Sequence, residues 1–153
     1  MNTIGIISDT HGLLRPEALE ALDDCKLIIH AGDVGSPHVL AALEQIAPVF
    51  AVRGNVDRDA WALRLPETRV VEIEHLLLYL LHDLGTLDLD PRAAGFRVVV
   101  FGHSHQPSVS EKQGVLYVNP GAAGPRRFRL PITLAKMRIE AGDPAVEIVT
   151  LRE

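Results

Sequence analysis

Five short apolar runs in this chain each end in a turn that carries a histidine, a carboxylate or an asparagine. The runs span residues 3–8, 26–31, 49–53, 76–81 and 98–101. Apolar runs of this length are typical of buried strands, and amphipathic segments separate those in the first half of the chain. Strands that alternate with helices form a largely parallel sheet, so the pattern restricts the chain to an α/β fold.

Helix signals and turn residues place the other elements. Pro16 opens a predicted helix over 16–24, and Ser36-Pro37 opens a second one. A hairpin is predicted from 68–73 and 76–81, and a short helix over 87–94. Further strands are predicted at 107–112, 115–118, 132–139 and 145–151. We therefore predict that residues 1–153 form one domain with two sheets, the first rich in parallel strands and the second ending in antiparallel hairpins.

Composition and charge argue against several classes of protein. The chain is 47% hydrophobic and 23% charged, which is typical of a globular protein. A net charge of −5 with scattered basic residues argues against a dedicated nucleic-acid-binding surface. The longest apolar run, 76–81, is far shorter than the roughly 20 residues of a membrane-spanning helix. Cys25 is the only cysteine and no secretory leader is recognisable, so we expect a cytoplasmic protein without membrane contact.

The polar residues that follow the five apolar runs are all able to bind a metal ion. They are Asp9, His11, Asp33, Asn55, His82, His103 and His105. Carboxyl ends of parallel strands open onto one crevice, so these side chains are expected to converge. Two carboxylates, one amide and four imidazoles exceed the needs of one tetrahedral ion but suit two ions that share a carboxylate. We expect Asp33, on the central strand, to be the shared ligand.

Three glycines precede members of this set. Gly32, Gly54 and Gly102 are expected to let the chain turn tightly and to leave room for the ions. Any one of the polar residues alone would more often be an ordinary strand-end residue than a ligand. The prediction of a metal site therefore depends on the complete ordered set.

That ordered set resembles the calcineurin-like metallophosphoesterase superfamily, and the length is similar to that of its small prokaryotic single-domain phosphodiesterases. The matching motifs are Asp9-x-His11, Gly32-Asp33, Gly54-Asn55-x-Asp57, His82, Gly102-His103-x-His105 and Asn119-Pro120-Gly121 with Pro125-Arg126. The resemblance implies a four-layered αββα sandwich of two mixed sheets. It assigns one ion to Asp9, His11, Asp33 and His105 and the other to Asp33, Asn55, His82 and His103. Of these ligands, we predict Asp33, Asn55 and His82 as catalytic.

Two positions depart from the family pattern. Val56 stands where many phosphatases of the superfamily have a histidine that stabilises the transition state or protonates the leaving group. Asp83 stands where small members often have glycine after the fourth-strand histidine, and its role is open. Arg53 could reach a substrate phosphate or pair with a carboxylate, and Asp57 could orient a ligand or cap a helix. Without a histidine at position 56, esters of acidic alcohols are the expected substrates.

These features predict hydrolysis of a small phosphodiester by a hydroxide shared between two divalent ions, with Mn²⁺ favoured and Zn, Fe, Co or Ni as alternatives. A phosphomonoesterase or a nuclease of the superfamily is an alternative. A protein-interaction scaffold, like the retromer subunit of the same fold, is another, although a scaffold does not need seven metal-competent side chains. A C-terminal hairpin would leave an edge strand that a second copy of the chain could cover.

Overall fold

Two five-stranded sheets make up the centre of the molecule. The computed structural model describes residues 2–153. Its strands are β1 (Thr3–Ile7), β2 (Leu27–His30), β3 (Val49–Ala51), β4 (Thr68–Ile73), β5 (Leu76–Leu81), β6 (Val98–Val100), β7 (Ser108–Lys112), β8 (Val115–Asn119), β9 (Ile132–Glu140) and β10 (Asp143–Arg152). The α-helices are α1 (Pro16–Leu22) and α2 (Pro37–Glu44), and single 3₁₀ turns span Ala62–Arg64 and Leu84–Thr86.

Both sheets are mixed, as predicted. The first has the order β10-β9-β1-β2-β3, with β1, β2 and β3 parallel and β9 antiparallel to β1. The second has the order β4-β5-β6-β8-β7, with β5, β6 and β8 parallel. The C-terminal hairpin of β9 and β10 extends the first sheet, so its predicted place in the second sheet is wrong. Six of the nine residues of β9 are buried, which fits its position between β1 and β10.

Three hydrophobic clusters define the layers. The largest fills the space between the sheets and includes Ile4, Ile29, Leu78 and Val100. A second packs α1 and α2 onto the outer face of the first sheet, as the predicted sandwich requires.

No helix in the described part of the chain is both long and apolar enough to cross a membrane.

The outer face of the second sheet is covered by an irregular segment. Leu87 and Leu89 pack beside Tyr79 and Val99, while Asp88 between the two leucines is exposed. This two-residue alternation is that of an extended chain, and the backbone then closes a turn in which Phe96 N donates to Pro91 O (2.9 Å). The predicted helix over 87–94 is therefore wrong. Proline within the segment removes a backbone donor that a helix would need.

Candidate metal centre

All seven predicted ligands lie at one end of the sandwich, where loops from both sheets meet. Strands β1, β2 and β3 bring residues from the first sheet, and β5 and β6 bring residues from the second. Six of the seven form two groups in which the possible ligand atoms lie within 4.8 Å of one another. The inner group is Asp9, His11 and His105, and the outer group is Asp33, His82 and His103.

The carboxylate of Asp33 lies between the two groups. Its Oδ2 is 3.1 Å from Nε2 of His82 in the outer group and 3.6 Å from Nε2 of His11 in the inner group. In the inner group, Oδ1 of Asp9 is 3.3 Å from Nε2 of His105. Asn55 joins the outer group, since its Oδ1 is 3.2 Å from Nδ1 of His103. One Asp33 oxygen is thus placed to serve both groups.

Several buried atoms at this site have no hydrogen-bond partner. They are Oδ1 of Asp9, Nε2 of His11, Nε2 of His82 and both ring nitrogens of His105. Buried polar atoms are normally paired, because an unpaired one costs about 1–3 kcal/mol. Imidazole nitrogens and carboxylate oxygens are ligands that divalent transition metals accept. The donor set therefore fits two divalent cations.

The backbone of the ligands is unusual. Five of the seven have a positive φ: Asp9 (55°), His11 (47°), Asp33 (55°), His103 (72°) and His105 (64°). A left-handed conformation in a residue other than glycine costs on the order of 1–3 kcal/mol and persists only where the surroundings require it. The left-handed conformation turns the backbone at the strand ends, and the side chains of these residues meet in the crevice.

The three glycines make room for ligands of other loops. A Cβ at Gly54 would overlap the carboxylate of Asp33, and one at Gly102 would lie 2.6 Å from Oδ2 of Asp9. A Cβ at Gly32 would lie 2.7 Å from Nδ1 of His82. Bulkier residues were predicted to crowd the ions; in the structure they would crowd proposed ligands and, at Gly102, also the Ser8 hydroxyl.

Each aspartate is held through one oxygen, which leaves the other directed at the histidines. Oδ2 of Asp9 accepts from the Ser8 hydroxyl (2.7 Å) and from the backbone N–H of His103 (3.2 Å). Oδ1 of Asp33 accepts from the backbone N–H of Val56 (3.0 Å). Burial raises the pKa of both carboxyl groups, but these hydrogen bonds and the histidines outweigh burial and lower both pKa values below the ordinary range.

His82 is oriented from behind by the backbone. Its Nδ1 lies 2.8 Å from the carbonyl oxygen of Ala31, which can only accept, so the neutral ring has its lone pair on Nε2. Burial lowers the pKa of His82, but the carboxylates of Asp33 and Asp9 outweigh burial and raise it. The two carboxylates favour a positive charge at this position, which a proton or a metal ion can supply.

Asp57 ties two of the ligand loops together. Only 2% of its surface is exposed, and its carboxylate accepts from the backbone N–H groups of Val34 (3.0 Å), Gly35 (2.9 Å) and Gly54 (3.0 Å). The structure thus places Asp57 under the loops that carry Asp33 and Asn55.

The side chain of Arg53 pairs with Glu67, with Nη2 and Oε1 2.9 Å apart.

Three buried polar residues, Thr10, His30 and Asn119, also support the site, a role that was not predicted for them from the sequence. His30 Nδ1 accepts from the N–H of Gly32 (3.1 Å), so its Nε2 carries the proton and donates to the Thr10 hydroxyl (3.0 Å). Burial lowers the pKa of His30 to about 4. Asn119 donates to the carbonyl of Gly102 (3.1 Å) and accepts from the N–H of Gly121 (2.9 Å). The signal for such residues is a lone polar side chain at the end of an otherwise apolar strand.

The family model for the calcineurin-like phosphoesterase superfamily domain matches residues 2–142. A probable metallophosphoesterase of Methanothermobacter thermautotrophicus is 37% identical, covering 95% of this chain and 91% of its own length. The phosphodiesterase MJ0936 of Methanocaldococcus jannaschii is 31% identical, covering 77% of this chain and 82% of its own length.

Two solved structures share the overall fold of this chain. An archaeal phosphodiesterase superposes with a TM-score of 0.81 at 26% identity, covering 96% of this chain and 99% of its own. Vacuolar protein sorting 29 of Cryptosporidium parvum superposes with a TM-score of 0.76 at 22% identity, covering 99% of this chain and 98% of its own. The second likeness concerns the fold alone.

Proposed function

Because this chain belongs to the calcineurin-like phosphoesterase superfamily, we propose that it is a phosphodiesterase with a binuclear metal centre. The observation that carries the proposal is the pair of ligand groups on either side of the Asp33 carboxylate, with buried ligand atoms that lack hydrogen-bond partners. Asp9, His11, Asp33 and His105 would hold one ion, and Asp33, Asn55, His82 and His103 the other. Mn²⁺ is the metal we favour.

Two bound divalent ions would lower the pKa of a water nucleophile and neutralise charge on the phosphoryl oxygens. The chain itself supplies orientation, since each aspartate and His82 is fixed by a hydrogen bond on the side away from the crevice. In hydrolysis, water gives up a proton to solvent as its oxygen bonds to phosphorus, and the bond from phosphorus to the leaving oxygen breaks, so that the alcohol departs as an anion with the electron pair.

Val56 limits which esters can react. Its side chain is 45% exposed and cannot donate a proton, while its backbone N–H is already bonded to Asp33. A leaving alcohol that is already acidic needs no proton from the protein. We therefore propose aryl phosphodiesters as the best simple substrates and expect them to react faster than alkyl phosphomonoesters.

The first test is hydrolysis of bis(4-nitrophenyl) phosphate by metal-free protein and by protein reloaded with Mn²⁺. We expect activity only after reloading, and a loss of at least about a thousandfold in Asp33→Ala and His82→Ala. His38→Ala is the matched control, because His38 is an exposed histidine outside the site. Bound metal without cleavage of diesters would contradict the proposed reaction, and failure to bind metal would favour the alternative of a protein-interaction scaffold.

A further inference from the structure

A cleft of about 750 Å³ opens beside the outer group. This volume is within the range of small-molecule sites, about 300–1,000 Å³. His82, Asn55 and His103 are among its lining residues, and His82 is 5% exposed with no hydrogen-bond partner at Nε2. The remaining lining comes from Arg53, Gly54, Pro66, Glu67, Thr68, Tyr79, Asp83, Thr86 and Asp88. A substrate phosphate held at the outer group would extend its organic part into this cleft.

Apart from the proposed metal ligands, the lining of the cleft has an excess of negative charge. It contains one cation, Arg53, and three carboxylates, Glu67, Asp83 and Asp88. Arg53 and Glu67 neutralise each other, since their side chains form an ion pair of 2.9 Å. Neither Asp83 nor Asp88 forms an ion pair within residues 2–153. Two carboxylates without an ion-pair partner therefore line the cleft.

Asp83 is held in place beside the proposed ligand His82. Its Oδ1 accepts from the backbone N–H of Gly85 (2.9 Å), which anchors the carboxylate at the start of the 3₁₀ turn Leu84–Thr86. The turn also supplies Thr86 to the lining of the cleft, and Asp88, two residues further along the chain, is another lining residue. The carboxylate of Asp83 thus has a fixed position directly after the strand end that carries the proposed ligand His82.

We infer that this cleft selects phosphodiesters whose alcohol is cationic or neutral, such as esters of an amino alcohol, and discriminates against alcohols that carry further phosphates. The inference rests on the proposed function, because it assigns the reacting phosphate to the outer group. Like charges repel over a range set by salt, about 8 Å at 0.15 M, so the selection acts within the cleft and weakens as salt rises. Asp83 and Asp88 are the specificity-determining residues.

Three chromogenic diesters with the same leaving group test the charge of the other alcohol. These are 4-nitrophenyl phosphorylcholine, thymidine 5′-(4-nitrophenyl phosphate) and the same nucleotide with a 3′-phosphate. With Mn²⁺-loaded protein at low ionic strength, we expect kcat/KM for the choline ester to exceed that for the 3′-phosphorylated ester by about tenfold or more. Because the kcat/KM values of different esters are compared within one preparation, a change that affects all substrates equally does not alter their ratio.

The double variant Asp83→Asn/Asp88→Asn removes the charge and keeps the shape, since asparagine can still accept from Gly85. We expect the ratio between choline and 3′-phosphorylated esters to fall about tenfold. Glu72→Gln is the matched control, because Glu72 is an exposed carboxylate outside the cleft, and its ratio should equal that of the wild type. A ratio near one in the wild type, or one unchanged in the double variant, would overturn the inference.

A binding measurement tests this inference independently of the proposed phosphodiesterase activity. Calorimetry with phosphocholine and with thymidine 3′,5′-bisphosphate measures the charge preference of Mn²⁺-loaded protein without any cleavage. If no diester is hydrolysed, the proposed function fails, while tighter binding of phosphocholine that is lost in the double variant still supports the acidic cleft. Equal binding, or tighter binding of the bisphosphate in all variants, would contradict it.

Discussion

The inner and outer groups use the same kinds of side chain but meet solvent differently. In the inner group, Asp9 and His105 are buried and only His11 is partly accessible. In the outer group, His103 is exposed, Asn55 beside it is exposed as well, and the cleft begins there. Closed metal sites hold ions firmly, whereas open ones leave a position for water or substrate. We therefore expect an inner ion that is retained and an outer ion that exchanges and contacts substrate.

We expect the largest effect in the number of Mn²⁺ ions bound, which should differ between His105→Ala and His103→Ala. Loss of His105 leaves the buried Asp9 carboxylate without its nearest histidine, so we expect the protein to bind about one ion fewer even in excess Mn²⁺. Loss of the exposed His103 should weaken the outer ion by about 10- to 100-fold, and excess metal should restore both ions. Metal analysis after dialysis against graded Mn²⁺ measures both. Equal losses in the two variants would remove the distinction between the groups.

The next effect tests the buried support beneath the ligand loops. In the metal-free protein, the unfolded chain binds a proton at position 30 below pH about 6.5, but folded His30 stays neutral down to about 4. The unfolded state thus binds more protons in this window, so stability is lost as pH falls, by about 3 kcal/mol from this residue.

Urea unfolding from pH 7 to pH 4 measures this loss. His30→Gln removes the titrating group, so its stability should change less with pH than that of the wild type, although it starts from a lower value. His38→Gln, which changes an exposed histidine, should follow the wild type. Parallel curves for wild type and His30→Gln would contradict the prediction.

The smallest effect concerns the loops of the outer group. Asp57→Asn exchanges a carboxylate that accepts from three backbone N–H groups for an amide with one acceptor oxygen. We expect a loss of about 2 kcal/mol in the free energy of unfolding and roughly tenfold weaker binding of the outer ion. Asp59→Asn, at an exposed aspartate two residues away, should change neither. If only the binding of the inner ion became weaker, Asp57 would support the inner group and the prediction would be contradicted.

Much of this site follows from sequence order alone. Within each sheet, the ends of neighbouring parallel strands meet at one edge, as for β1, β2 and β3 in the first sheet and β5 and β6 in the second. Packing of the two sheets then brings all seven predicted ligands to one crevice. The supporting residues were harder to find. His30 and Asn119 were not predicted as supports because their value depends on backbone groups brought close only by folding.

Two errors have one physical cause. The segment after β5 was predicted as a helix over 87–94, and the C-terminal hairpin was assigned to the second sheet. Local sequence patterns indicate which residues alternate between buried and exposed positions. They do not indicate which sheet has an apolar face for a segment to cover or a free edge for a strand to join. That choice depends on burying apolar surface from distant parts of the chain.

By itself, the sequence determined the α/β class, the family and the identity of the metal-competent residues, because strand period, turn chemistry and ligand type are local properties. Tertiary structure alone decided the left-handed turns of Asp9 and Asp33, the anchoring of Asp57 and the acidic cleft beside His82. These features depend on distances between loops of two sheets, and such distances exist only once the shared core between the sheets has formed.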